Sequence, residues 1–267
     1  MDFESASAFL SLDEYGDGLG RAATVLRANA AAAGLDAPVP TCPGWTVLDL
    51  VAHQGMVHRW ATGHLRGTPV ADAAAIEKAA HDETDVLGWF DEGATALLQA
   101  IVDAPDDVDA PVFLRHAPGP RLFWTRRQCH ETTIHAVDAL GARLGRPARA
   151  DETWMRAPLA LDGIDELLRG FLTRRRQGVH TPEATRLVVR PRDAERAWVV
   201  TLHPEEPAET TVVDPATAAV DDGDPELTGS AVELYLQLWN RAPAPPLGAP
   251  GGWAEAWWRD NVTINWA

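Results

Sequence analysis

The sequence predicts an α + α/β protein, in which a helical bundle is followed by a smaller domain that contains β-strands. Apolar residues recur at spacings of three and four in several segments of the first half. Short β-like runs separated by Pro, Asp and Glu turns follow in the second half. The pattern changes near residues 146–151. We therefore expect a four-helix bundle in residues 1–148 and an α/β domain in residues 149–267.

The first two helices are predicted from an apolar stripe and from signals at their ends. The first lies within roughly residues 9–33, and its stripe consists of Leu12, Tyr15, Leu19, Ala22 and Leu26. Gly34 follows this stripe and is the residue type that commonly ends a helix. The second helix is predicted to begin at Thr46, with Asp49 as a variant of the capping box, and to end near His64.

Two further helices complete the predicted bundle. The third spans roughly Glu83 to Val102 and carries its own apolar stripe. The fourth runs from about Leu122 to Leu144 and ends before Gly145. Facing helices of such bundles often supply the ligands of metal sites, so polar residues on their inner faces are candidate ligands.

The second half is predicted to contain both helices and strands. One helix is expected from Asp151 to about Gln177, and another from Ser230 to Asn240. A Pro/Gly loop is expected from Ala242 to Gly252. The β-like runs are residues 185–189, 197–202 and 209–213, and the chain closes with Trp253, Trp257 and Trp258, which we expect to be packed.

Composition and charge exclude several classes of function. The net charge of the 267 residues is −16, which disfavours binding to nucleic acid or to an anionic membrane surface. No apolar run is long enough to span a bilayer, and the Met1–Ser5 start is too acidic for a secretory signal. The two cysteines, Cys42 and Cys129, are far apart and form no CxxC motif. A reducing cytoplasm is therefore the expected location.

Glu131 and His135 are the pair that most directly indicates chemistry. They lie four residues apart on the fourth predicted helix and therefore on one face of it. A carboxylate and an imidazole arranged in this way supply two of the three protein ligands of a catalytic zinc site. His53, in an otherwise apolar segment of the second helix, is the best candidate for the third ligand. His58 and His130 are rivals that we expect at the rim of the site, because they point in other directions on their helices.

The same residues also have an ordinary structural interpretation. A single histidine on an apolar face is more often a core residue than a ligand, and an ExxxH spacing is common by chance. Asp138 shares the face of His135 and either orients that imidazole or pairs with Arg127 or Arg143. For Cys42 a structural role is favoured. The sequence contains no GxGxxG, Walker A, GxSxG or HExxH motif.

Three ordered motifs resemble those of the mycothiol-dependent maleylpyruvate isomerase family, within the DinB/YfiT-like superfamily of metalloenzymes. The segment VPTCPGWTVLDLVAH at residues 39–53 resembles the second-helix signature of that family. The segment RRQCHETTIHAVDA at residues 126–139 resembles its fourth-helix signature. The segment TGSAVELYLQLWNR at residues 228–241 is similar to a C-terminal motif of the family.

The resemblance implies a fold, a ligand set and a co-substrate. The implied fold is a DinB-like four-helix bundle followed by a small sterol-carrier-like α/β domain. The implied site holds zinc through His53, Glu131 and His135, with mycothiol as the thiol co-substrate. Arg241 matches a late arginine of the family, for which a role in binding substrate or thiol is implied. Its ordinary interpretation is a cation at the end of a helix, where the helix dipole favours it.

A zinc site with two imidazoles and one carboxylate keeps an open position and is therefore expected to be catalytic. A thiol bound there would ionise, and the metal-bound thiolate would attack a small electrophilic substrate, so we expect no protein nucleophile. An isomerase would add and then eliminate the thiol, whereas a transferase would leave it attached. The alternatives are a non-catalytic protein that binds a lipid or another small molecule, and a zinc hydrolase. The sequence predicts no particular oligomeric state.

Overall fold

A computed structural model describes residues 9–218, 225–242 and 252–264, and these residues form two compact units. The first unit contains Ser11–Phe113 and Pro118–Ala148. The second contains the described part of Arg149–Ala267 together with Leu114–Ala117 and residues 9–10. The expected loop between Ala242 and Gly252, the side chain of Trp253 and the acidic Met1–Ser5 start lie outside the described residues.

The first unit is a bundle of helices, as the sequence predicts. Its four long helices pack so that α1 and α2 each contact both α4 and α5. The short helix α3 lies against α2 and was not predicted, because its eight residues AAAIEKAA are too few to show a repeated apolar stripe. The helices are α1 (Leu12–Ala33), α2 (Val47–Leu65), α3 (Ala73–Ala80), α4 (Val86–Asp103) and α5 (Pro120–Leu144).

The predicted helix ends are confirmed by hydrogen bonds and by backbone geometry. The Thr46 hydroxyl accepts from the backbone N–H of Asp49, and the Asp49 carboxylate accepts from the backbone N–H of Thr46. This reciprocal capping box satisfies two donors that the first turn of α2 would leave unpaired. Gly34 after α1 and Gly145 after α5 have positive φ angles of 87° and 68°, which glycine adopts without strain.

Helix α5 lies at the centre of the first unit. Every residue from Phe123 to Ala142 is buried, although many of them are polar or charged. Each buried polar group must find a partner inside the bundle, because an unpaired one costs free energy. The polar interior therefore makes α5 the natural place for a functional site. None of the described helices combines the length with the apolar composition that crossing a membrane requires.

The second unit contains a four-stranded mixed sheet in the order β3-β2-β1-β4. Strands β1 to β3 pair antiparallel, and β4 pairs parallel to β1. The three predicted strands are confirmed, whereas the four-residue β4 was missed because it is too short to show alternation. The elements are β1 (Thr185–Pro191), β2 (Ala197–Leu202), β3 (Glu209–Val213), β4 (Glu226–Gly229), α6 (Ala157–Asp165), α7 (Ala231–Leu238) and α8 (Gly252–Asn261).

The prediction of one continuous helix from Asp151 to Gln177 is wrong. The chain forms a 3₁₀ turn at Ala150–Glu152 and then enters α6, with Pro158 in its first turn. Proline lacks a backbone N–H and is favoured at such a helix start, so it marks a new beginning rather than a helix interior. A π-helical turn at Glu166–Phe171 and a further 3₁₀ turn follow α6.

Candidate metal centre

The three predicted ligands converge inside the first unit. His53 lies on α2, and Glu131 and His135 lie one turn apart on α5. The Nε2 atoms of His53 and His135 are 3.9 and 3.3 Å from the Glu131 Oε1 atom. One potential ligand atom from each of the three residues lies within 4.8 Å of the others. The geometry thus brings two nitrogens and one oxygen to one point between α2 and α5.

The donor set is buried on one side and accessible on the other. Glu131 is 4% exposed and His135 is 7% exposed, whereas the His53 side chain retains 20% of its accessible surface. The Trp45 ring packs beside both imidazoles, with its centroid 5.1 Å from that of His53 and 6.2 Å from that of His135. Solvent or a small ligand therefore reaches the cluster from the side of His53.

Each imidazole also contacts a carboxylate through its other nitrogen. His135 Nδ1 donates to Asp138 Oδ2 at 2.9 Å, and His53 Nδ1 lies 3.4 Å from Glu77 Oε1. A proton on Nδ1 leaves the Nε2 lone pair free, which is the tautomer that ligates a metal through Nε2. Of the two interpretations of Asp138, the contact with His135 favours an orienting role.

Arg127 fixes the orientation of the Glu131 carboxylate. Its guanidinium donates to Glu131 Oε2 at 2.7 Å, which leaves Oε1 directed toward the two imidazoles. Burial alone would raise the pKa of Glu131, but hydrogen bonds to His135 and His53 and the charge of Arg127 hold that pKa well below its usual value. Glu131 is therefore an anion at neutral pH even though it is almost fully buried.

The charge state of His53 follows from its two acidic neighbours. Burial lowers the pKa of His53, but hydrogen bonds to Glu131 and Glu77 outweigh burial and raise the pKa to about 9. The same contact with His53 lowers the pKa of Glu77. In the absence of a metal, His53 is therefore protonated at neutral pH, and a cation must displace that proton to bind.

A second group of potential ligands consists of Cys42, His135 and Asp138. Asp138 is completely buried and accepts hydrogen bonds from the Thr41 hydroxyl at 2.5 Å, the Cys42 thiol at 3.4 Å and His135 Nδ1 at 2.9 Å. Ligation by this group would break the contacts that orient His135. Glu131, by contrast, already directs a carboxylate oxygen at both imidazoles, so the group with His53 is the better candidate for a metal site.

The two rival histidines lie elsewhere, and their expected place at the rim is wrong. His58 is fully buried, and its Nε2 pairs with the hydroxyl of Thr132 at 2.9 Å. Burial lowers the pKa of His58 to about 3, so it remains neutral. His130 is also fully buried, and its ring meets the Tyr15 ring edge-on. Both histidines are core residues: His130 lies on α5, which is buried on all of its faces, and His58 lies on the face of α2 that packs against Thr132 of α5.

Arg241 belongs to the second unit. It follows α7, and its guanidinium donates to the backbone carbonyl of Trp239 at 2.9 Å. Its role toward a substrate or a thiol stays a prediction from the family resemblance.

Sequence reasoning missed Glu77, and it did not connect Arg127 with Glu131. The spacing of Arg127 and Glu131, four residues apart on one helix, could have indicated their ion pair. No comparable signal exists for Glu77, because it lies on α3, far from His53 in sequence.

The ion pair of Arg127 and Glu131 generates a prediction for the metal-free protein. Arg127→Met should lower the free energy of unfolding by about 3 kcal/mol, because it leaves a buried carboxylate without its cation. The double variant Arg127→Met/Glu131→Gln should recover part of that loss. Urea denaturation of the wild type, both single variants and the double variant measures the coupling. Additive losses would show that the pair is not coupled.

Comparison with known proteins agrees with the fold and with the motifs. The family model described as the mycothiol maleylpyruvate isomerase N-terminal domain matches residues 17–140, and the MDMPI C-terminal domain model matches residues 158–259. A search of curated proteins gives no match. A crystal structure of the mycothiol-dependent maleylpyruvate isomerase is 14% identical, with a TM-score of 0.58 over 89% of this chain and 97% of that chain.

A histidine-to-alanine variant of that isomerase gives the same TM-score of 0.58 and 14% identity, over 95% of this chain and 92% of that chain. At this level of identity, the two solved structures show a shared fold. The two family models together cover most of the sequence, in the order expected for the two domains of one family. The chain therefore belongs to the mycothiol maleylpyruvate isomerase family of enzymes.

Proposed function

We propose that this protein is a zinc-dependent enzyme that uses mycothiol as a thiol co-substrate and acts on a small electrophilic substrate. The observation that carries the proposal is the convergence of His53, Glu131 and His135, with each imidazole held through Nδ1 by a carboxylate. Membership of the family supports the choice of thiol.

We also propose that residues 1–148 form the metal-binding domain and that residues 149–267 form the second domain. The proposed location of the enzyme is the cytoplasm.

The donor atoms suit a zinc ion in chemistry, and one of their distances already matches its spacing. Zinc takes imidazole nitrogens and carboxylate oxygens at about 2.0–2.2 Å, so neighbouring ligands of a tetrahedral ion lie roughly 3.3 Å apart. The 3.3 Å distance from His135 Nε2 to Glu131 Oε1 matches this spacing. The 3.9 Å distance from His53 Nε2 to the same oxygen requires only a small movement of a partly exposed side chain.

The residues of this chain set the charge that a bound thiol would meet. A zinc ion in this site would supply a Lewis acid that favours the thiolate form of a nearby thiol. Asp138 and Glu77 keep the Nδ1 protons of the two histidines in place. In the zinc-bound site, each neutral imidazole would therefore ligate the metal through Nε2. Glu131 contributes one negative charge to the ligand set. One positive charge of a dication remains, and a thiolate would neutralise it.

The proposed reaction begins when the thiolate sulfur forms a bond to one carbon of a conjugated double bond. The π electron pair of that double bond moves into the conjugated carbonyl group, so the carbon–carbon bond becomes single and can rotate. Elimination of the sulfur restores the double bond in the other geometry and regenerates the thiolate, so the thiol is not consumed. This isomerisation is the reaction that the name of the family describes. A transferase would instead keep the carbon–sulfur bond.

Metal content and thiol dependence together test this function. The zinc-loaded protein should isomerise maleylpyruvate only when mycothiol is present. His53→Ala and Glu131→Ala should each lose stoichiometric zinc and at least about 100-fold of the activity, because each removes one of three ligands. His180→Ala, an exposed histidine of the second unit, is the matched control and should behave as wild type.

Three results would contradict the proposal. Full zinc content in both ligand variants would exclude these ligands. Equal turnover with and without thiol would indicate zinc-activated water instead, as in a hydrolase. A bound lipid in a metal-free protein would indicate a binding protein.

The raised pKa of His53 generates a pH prediction. With a pKa of about 9 in the metal-free protein, His53 must lose its proton when zinc binds at neutral pH. We expect release of about one proton per zinc near pH 7, and an apparent zinc affinity that rises with pH until the proton is lost near pH 9. Calorimetric titrations in buffers of different ionisation enthalpy measure the released protons. A binding heat that does not depend on the buffer would contradict the assigned charge state.

A further inference from the structure

Helix α3 is a short, exposed element beside the candidate metal site. Its only buried residue is Ala80, so little apolar surface fixes it to the bundle. Two side-chain contacts connect it to α2. Glu77 approaches His53, and His81, directly after α3, donates from Nε2 to Asp49 Oδ1 at 2.9 Å. The docking of α3 therefore depends strongly on polar contacts, one of which reaches a proposed metal ligand.

We propose that Glu77 is a positioning residue for the metal ligand His53, and that metal binding in turn strengthens the docking of α3 on α2. This inference rests on the proposed zinc site. It extends that site to a residue on a third helix, which the ligand motifs on α2 and α5 do not include.

The two imidazoles of the site are held by carboxylates of different origin. Asp138 lies three residues after His135 on the same helix, so the geometry of α5 itself fixes their 2.9 Å hydrogen bond. Glu77 comes from a separate helix, and its 3.4 Å distance to His53 can shorten or lengthen as α3 moves. The orientation of His135 is thus fixed by α5, whereas that of His53 depends on whether α3 is docked.

The coupling between the metal and α3 follows from the two nitrogens of one ring. A cation held by Nε2 of His53 fixes the rotation of the ring, so its Nδ1–H stays directed at the Glu77 carboxylate. Because coupling between two binding equilibria is reciprocal, a contact that improves metal affinity must also hold α3 more firmly when metal is present. Glu77 is also only partly exposed, which limits screening of the contact.

The inference is tested by comparing zinc affinity and the exchange of α3 amide hydrogens in the full-length protein. Glu77→Ala should weaken zinc binding by about 10- to 100-fold, the usual effect of removing a carboxylate that orients a ligand histidine. Glu77→Gln keeps the size and an acceptor oxygen, so its loss should be smaller. Lys78→Ala, exposed on the same helix, is the matched control and should bind zinc as wild type does.

The effect of zinc on amide hydrogen exchange in α3 separates a lost contact from a general loss of folding. In wild type and in Lys78→Ala, zinc should slow the exchange of amides in α3, and in Glu77→Ala it should not. Wild-type zinc affinity in Glu77→Ala, or an equal loss in Lys78→Ala, would overturn the inference while the zinc site stands. Absence of zinc binding by wild type would overturn the proposed function, and this inference with it.

Discussion

The ionised carboxylate of Glu131 in the middle of a buried helix is the constraint on which the rest of the site depends. A buried anion is costly unless positive groups and hydrogen-bond donors surround it. Arg127 binds one of its oxygens, and the other faces the imidazoles of His53 and His135. In the metal-free protein the proton on His53 supplies part of the compensating charge. A divalent cation can replace that proton and meet the same need, so the electrostatics that stabilise the buried Glu131 anion also favour metal binding.

Local sequence signals predicted most of the bundle and part of the site. Apolar stripes and capping residues such as Thr46 act within one or two turns of a helix, so they can be recognised without knowledge of the tertiary structure. The same holds for Glu131 and His135, because their spacing alone places them on one face. Spacing alone does not place His53, since its position opposite α5 depends on how two helices pack. The family motifs, and not the spacing of residues, indicated that this histidine belongs with the other two.

The predictions that were wrong or missing also have physical causes. Helix α3 is too short to show a repeated apolar period, and no local pattern encodes the contacts of Glu77 and His81 with α2. The region from Asp151 to Gln177 was predicted as one helix, although Pro158 is better placed at a helix start. His58 and His130 were expected at the rim because the sequence does not show that α5 is buried on every face, or that His58 on α2 packs against α5.

The location of a bound zinc ion tests the central claim most directly. Anomalous diffraction at the zinc absorption edge, from crystals of the zinc-loaded protein, locates the ion without reference to activity. We expect one strong peak at about 2.0–2.2 Å from the Nε2 atoms of His53 and His135 and from a carboxylate oxygen of Glu131. A peak held instead by Cys42, His135 and Asp138, or no ordered zinc near Glu131 at full loading, would contradict the proposed site and the thiol chemistry that depends on it.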